Sequence, residues 1–121
     1  MIPATVRCAL ESMALLYRRT LRQIEQLIGR KIERLHLVGG GSKNDLLNQF
    51  TANAVQIPVL VGPVEATALG NVLVQAITLG QVPSLAAARR LVRDGMDIPV
   101  VEPADGGAWD AAYRRFEKLF N

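Results

Sequence analysis

The sequence predicts an α/β fold, and three observations carry that expectation. Helical and strand-like apolar patterns alternate along the chain in the order α, β, α, β, α, α, weak β, α. The run Leu35, His36, Leu37, Val38 meets Gly39, Gly40 and Gly41 and then helical spacing, which reads as a strand, a bare-backbone turn and a helix start. The two clear strands are joined by a helix, so they pair in parallel with a right-handed crossover. Size and composition agree: 121 residues make one domain at most, and a chain that is 50% hydrophobic and 21% charged buries a core. Aromatic residues are only 5% of the total, so Leu, Val, Ile and Ala must supply most of that core.

Pro3 stands where a first helical turn can begin. From there Val6, Leu10, Met13, Tyr17, Leu21, Ile24 and Ile28 recur at helical spacing, which predicts a long amphipathic helix ending at Gly29. Ile32 to Val38 reads as the first strand. Ser42 or Asn44 can cap the next helix, which carries Leu46, Leu47, Phe50, Ala54 and Val55. Ile57 to Val61 is a second short strand with Pro58 near its start. Gly62 and Pro63 form a turn, and a third helix runs from Glu65 to Leu79. Its small apolar positions, Ala66, Ala68, Gly70 and Ala76, predict burial against a sheet or another helix. Gly80 ends it, and Ser84 caps a fourth helix over Leu85 to Val92. Ile98 to Val101 is a weak strand because Pro99 lies inside it. The last helix, Ala108 to Phe120, carries Trp109, Tyr113, Phe116 and Phe120 on one stripe, expected in the core or a subunit contact.

Two or three strands make a very small sheet. The first strand is apolar nearly throughout, as a central strand covered on both faces would be. A central strand needs neighbours on both sides, so the sheet reads as a piece of a larger one. Its open edge is then a place for self-association, and a homodimer is one expectation.

Charge and composition exclude several classes. The formal net charge of +3 is too small to argue for nucleic acid, and no aromatic residues interleave with the arginines to stack bases. Arg18, Arg19 and Arg22, Arg89, Arg90 and Arg93, and Arg114 and Arg115 read as solvated helix faces. A lone cysteine, Cys8, permits no internal disulfide and fits a reducing cytoplasm; its apolar neighbours make it a small packed residue. No apolar run approaches the ~20 residues that span a bilayer, and the N-terminus lacks a signal-peptide layout, so no membrane partner is expected.

The glycine turn is the leading candidate site. Main-chain N–H groups and a helix N-terminus meet there, and that point suits a phosphate or a nucleotide. A tight turn rarely needs more than one or two glycines, so the run of three exceeds what an ordinary strand-to-helix turn requires. It is not a P-loop, and its spacing is not G-x-G-x-x-G. Asn44 offers a donor and an acceptor suited to a purine edge, but from the residues alone a plain helix cap is the preferred reading. Lys43 is long enough to reach a phosphate but reads as solvent-facing. His36 reads as a structural strand histidine with no partner for a metal site. Asp45, Asp94, Asp97, Asp105 and Asp110 show no spacing of a paired acid and base, and no nucleophile stands out.

Three segments resemble a known family. ESMALLYRRTLRQIEQL (Glu11 to Leu27) is similar to the helix before the adenosine motif of the FGGY family of carbohydrate kinases. LHLVGGGSKNDLLNQFTANA (Leu35 to Ala54) resembles that motif itself. GPVEATALGNVLVQAITLG (Gly62 to Gly80) is similar to the following turn and helix, and its Glu65 to Asn71 run is nearest to the rhamnulokinase branch. The resemblance covers nearly the whole chain, residues 3 to 120, as a C-terminal segment.

The resemblance implies an actin-like, ribonuclease-H-like ATPase fold, with a small mostly parallel sheet flanked by helices and residues 1–121 forming an incomplete domain. It implies ATP and Mg²⁺, phosphoryl transfer to L-rhamnulose or a related ketose, and the N-terminal part of the parent kinase as partner. Carried over by position, Gly40 and Gly41 give backbone contacts to the nucleotide, Asn44 contacts adenine, Gly39 makes the turn possible and Ser42 is a weaker contact. The family's Asp-Gly-Thr phosphate loop, its general-base aspartate and its sugar-contacting residues have no counterpart here, so the chain alone is expected to be inactive. A second expectation, a non-catalytic homodimeric module, rests on Met1 and on apolar content sufficient to fold. A dinucleotide-binding half-domain is weakened by the glycine spacing.

Overall fold

The computed structural model describes residues 2–121. Helix α1 (Ala4–Ile28) opens with Pro3 at its N-cap and closes at Gly29, whose left-handed backbone (φ 69°) returns its N–H to the Glu25 carbonyl. The Glu25 carboxylate also accepts from the Ile32 N–H at 2.9 Å and from Lys31 Nζ at 3.1 Å. These bonds, the backbone one first, hold its carboxyl below the usual range. One acid thus fixes the path from α1 into strand β1 (Leu35–Leu37).

A short 3₁₀ turn (Gly40–Lys43) and helix α2 (Asp45–Val55) lead to strand β2 (Val59–Val61). Helices α3 (Ala66–Thr78) and α4 (Leu85–Gly95), strand β3 (Val100–Val101) and helix α5 (Gly106–Glu117) complete the chain. Strands β1 and β2 are parallel, with Leu35 opposite Val59 and Leu37 opposite Val61. Strand β3 adds antiparallel to β2, Val59 facing Val101. Pro99 shortens that strand, yet its carbonyl still accepts from the Val61 N–H at 2.9 Å. The α/β class expected from the sequence is the observed one. The central strand, however, is β2, with Val59 fully buried. Strand β1 lies at an edge, with His36 and Val38 exposed.

The main core joins α1, α2 and α5 through Ala14, Leu15, Phe50, Ala54, Trp109 and Tyr113. The Phe50 and Trp109 rings meet at 5.4 Å and 50°, and burying such a side chain stabilises by about 2 to 3 kcal/mol. A second, smaller core holds the α3–α4 hairpin, with Leu73, Ala76 and Ile77 against Val82, Ala87 and Ala88. Ser84 caps α4 as expected, its Oγ accepting from the Ala87 N–H at 3.2 Å.

Four expectations are corrected by the packing. Helix α1 exists, but its buried residues are Ala14, Leu15, Arg18 and Leu21, while Val6, Met13, Ile24 and Ile28 are exposed. Two apolar stripes wind round this helix, and spacing does not say which one a neighbour covers. Helix α3 contributes no buried residue, because only one of its sides meets α4. Cys8 is exposed on α1, and not packed. Arg18 is no solvated arginine: it is 7% exposed, donates to the Ala54 carbonyl at 3.1 Å and pairs with Asp110 at 2.6 Å. Its guanidinium lies 4.4 Å from the Tyr113 ring centre, and Arg22 covers the same ring at 4.6 Å.

The polar edge of α2 secures the return from β3 to α5. Asn53 Oδ1 accepts from the Ala104 N–H at 2.9 Å, and Gln49 Nε2 donates to the Glu102 carbonyl at 3.0 Å. Gln56 Nε2 donates to the Ala104 carbonyl, and its Oε1 would lie 2.7 Å from any Cβ at position 106, where glycine stands.

Candidate functional site

The parallel pairing of β1 and β2 sets the glycine turn in place. At the end of β1, the Leu37 carbonyl accepts from the Gly62 N–H at 2.7 Å, and the Gly39 N–H donates to the Pro63 carbonyl at 3.4 Å. The two strand ends are thereby tied together, and the glycines emerge beside the turn that follows β2. Gly39 has φ 83°, a left-handed value that explains one glycine by backbone conformation alone.

Gly40 and Gly41 have no such explanation. Neither has a positive φ, and a Cβ added to either would meet nothing within 4 Å. The fold of this chain does not need glycine at either position. What the bare backbone does leave is room for another molecule to approach closely. Both residues open a 3₁₀ turn, and among the described residues neither N–H donates a hydrogen bond. Two free donors therefore lie side by side next to the N-terminus of α2.

Ser42 is buried and turned inward. Its N–H and its Oγ both donate to the Gly39 carbonyl, at 3.1 and 2.6 Å. Its hydroxyl is thus committed to closing the turn, while its carbonyl accepts from Asn48 Nδ2 at 2.8 Å. Lys43 is exposed. Asn44 caps α2: its Oδ1 accepts from the Leu47 N–H at 3.0 Å, and its backbone is extended (φ −87°, ψ 93°). The cap uses only the acceptor. Among the described residues Asn44 Nδ2 has no partner, and the side chain is exposed, so the cap leaves its donor uncommitted. Asp45 sits in the first turn of α2 and partly meets its N-terminal partial charge.

The structure brings Gly39, Gly40, Gly41, Ser42 and Asn44 into one turn of backbone. His36 stands apart on β1, exposed. Among the described residues no group of three or more His, Cys, Asp or Glu side chains gathers as a metal site. Two open surface depressions lie elsewhere. One surrounds the end of α1, lined by Arg22, Glu25, Gln26, Gly29, Arg30 and Lys31, and the other lies between α1 and α5 near Arg19 and Phe120. The turn itself is an open face. Asn48 carries little signal in the sequence, where it is one polar residue a helical turn after Asn44.

Residues 2–79 match the C-terminal domain of the FGGY family of carbohydrate kinases. The chain is 53% identical over 112 residues to a rhamnulokinase of Bacteroides thetaiotaomicron, covering 93% of this chain and 23% of that protein. It is 42% identical over 113 residues to a rhamnulokinase of Pectobacterium carotovorum, with the same shares covered. The chain thus spans about a quarter of the length of the curated relatives it matches. Among solved structures, the xylulose kinase of Rhodospirillum rubrum superposes with a TM-score of 0.69 at 25% identity, over 92% of this chain and 22% of that one.

Proposed function

The chain belongs to the FGGY family of carbohydrate kinases, and from that premise we propose that it carries the adenosine end of the ATP site of a kinase acting on L-rhamnulose or a related ketose. One observation carries the reading within this chain. Gly40 and Gly41 present free N–H groups and open space where the fold itself asks for neither glycine. A nucleotide lying against them accepts those hydrogen bonds, and Asn44 Nδ2 reaches the adenine edge while Oδ1 keeps the helix cap. Gly39 supplies the bend, and Ser42 holds the turn closed from inside.

In the proposed reaction the sugar C1 hydroxyl oxygen bonds to the γ-phosphorus of ATP, and the bond from that phosphorus to the β-phosphate bridging oxygen breaks. The products are the sugar 1-phosphate, ADP and a proton. Mg²⁺, when bound, spreads the phosphate charge in such transfers. The residues here fit nucleotide orientation and not metal ligation, so metal, general base and sugar pocket belong to the N-terminal part of the parent enzyme. These residues alone then give no turnover. An ATP-consuming reaction and an unpaired Cys8 both suit the cytoplasm.

The test uses the full-length kinase. ADP release is measured across a panel of ketoses, and the site of 8-azido-ATP cross-linking is mapped by peptide mass. Turnover with L-rhamnulose or a near relative, and cross-links within residues 39–55, are expected. No ketose turnover overturns the kinase assignment; cross-links confined to other segments overturn the assignment of the turn.

The open edge of β1 supports a second reading, a homodimeric module without catalysis. The intact mass of the native polypeptide separates the two. A product several times larger favours the kinase, and a product of this size favours the module.

A further inference from the structure

We infer that Asn48 is the positioning residue of the glycine turn, setting nucleotide affinity without touching the nucleotide; the inference rests on the nucleotide reading of that turn. Asn48 is 2% exposed and lies on α2 beneath the turn. Its Nδ2 donates to the Ser42 carbonyl at 2.8 Å, and its own N–H donates to the Asn44 carbonyl at 3.0 Å. Ser42 in turn donates twice to Gly39. A continuous chain of hydrogen bonds therefore runs from α2 through Ser42 to the residue where the backbone bends. Gly40 and Gly41 are the span held between those two anchors, and they have no side chains to fix their own orientation.

The other half of the carboxamide is idle. Asn48 Oδ1 is buried and is an acceptor without a partner among the described residues. Buried acceptors of this kind are rare and costly. A hydrophobic residue of similar size would avoid that cost but would leave the buried Ser42 carbonyl unpaired instead. The amide is the shortest uncharged side chain that puts an N–H donor at this reach, so the bond to Ser42 accounts for the residue and the idle oxygen accompanies it.

The variants are made in the full-length kinase. Asn48→Asp keeps the shape, and its buried carboxyl, holding its proton, can donate an O–H to the Ser42 carbonyl, so it is the conservative variant that restores the bond. Asn48→Leu keeps the branching and the number of side-chain heavy atoms and removes both polar atoms. In Asn48→Leu the KM for ATP is expected to rise roughly two- to tenfold, the order of one lost hydrogen bond, with the KM for sugar unchanged, and Asn48→Asp is expected to recover part of the loss. A purely structural role would move the melting temperature and leave the two KM values together. An unchanged KM for ATP, or both KM values rising in parallel, overturns the inference. If neither variant folds, amide exchange on the wild type decides. Ser42 and Asn48 amides protected before ATP is added, with Gly40 and Gly41 protected only after, is expected; a turn that exchanges freely throughout until ATP binds overturns it. Wild-type enzyme that phosphorylates no ketose condemns the underlying reading instead, which is a different result.

Discussion

Asn44 carries two separable jobs on one carboxamide. Its Oδ1 caps α2 through the Leu47 N–H, and its Nδ2 is the donor assigned to adenine. Asn44→Ala removes both, so the helix should lose about 1 kcal/mol and the KM for ATP should rise. Asn44→Asp keeps an oxygen at the cap and places a negative charge at a helix N-terminus, which is favourable. It has no N–H to give. The expected pattern in the full-length kinase is near-native protection of α2 from amide exchange in the Asp variant, reduced protection in the Ala variant, and a raised KM for ATP in both. A normal KM in Asn44→Asp would reduce Asn44 to a cap. Glycine and asparagine are legible in a sequence for this reason: each has few physical justifications, and the structure uses up the ordinary one for Gly39 while leaving Gly40 and Gly41 without it. Asn48 is not legible in that way. Its value depends on a carbonyl six residues away whose direction only the folded turn defines.

At the scale of elements, the seam between α1 and α5 is held by a cation set among aromatic rings. Arg18 links the Ala54 carbonyl at the end of α2 to Asp110 on α5, and Arg19 lies 4.1 Å from the Phe120 ring centre. Arg18→Met keeps the apolar stem and deletes the bonds, and should lower the opening free energy of α5 by about 2 kcal/mol, read from amide exchange. The hydrogen bond from Arg18, with its charge, holds the Asp110 carboxyl below its ordinary value. A lowered acid contributes stability above its ordinary pKa and loses it as pH falls through the lowered one. The extra protection of α5 in wild type over Asp110→Asn should therefore persist at neutral pH and close only in acid; a difference that is constant with pH would remove Asp110 from the seam. The helices themselves were visible in the sequence because their ends are local chemistry: Gly29 beyond α1, Asn44 before α2, Ser84 before α4. Which face each helix buries is not local. The inward turn of Arg18 and the exposure of α3 follow from where α5 and α4 dock, and no spacing rule within α1 or α3 encodes that.

For the whole molecule, the apolar surface left uncovered is the informative feature. Val6, Met13, Leu16, Ile24 and Leu27 form a second stripe on α1, with Leu27 86% exposed, and Val72 and Val74 on α3 and Leu79 just beyond it are exposed as well. Contiguous apolar surface of this kind marks a contact with something else. Strand β1 offers an unpaired edge nearby in sequence, and the chain spans about a quarter of its relatives' length. The occupant favoured here is the remainder of the kinase, whose further strands and helices would complete the sheet and cover α1. Leu16→Gln and Leu27→Gln test it, because glutamine is a good helix former and the change leaves α1 intact. If the parent enzyme buries these positions, each variant should cost the full-length protein about 2 to 3 kcal/mol, a drop in melting temperature of several degrees. If they face water, the change stays within about 0.5 kcal/mol. A second copy of the chain as the occupant has its own signature, since the melting temperature of the wild type would then rise with protein concentration and the variants would abolish that rise. A concentration-independent loss of stability thus supports coverage by the kinase itself, and makes the small cores seen here one part of a larger interior.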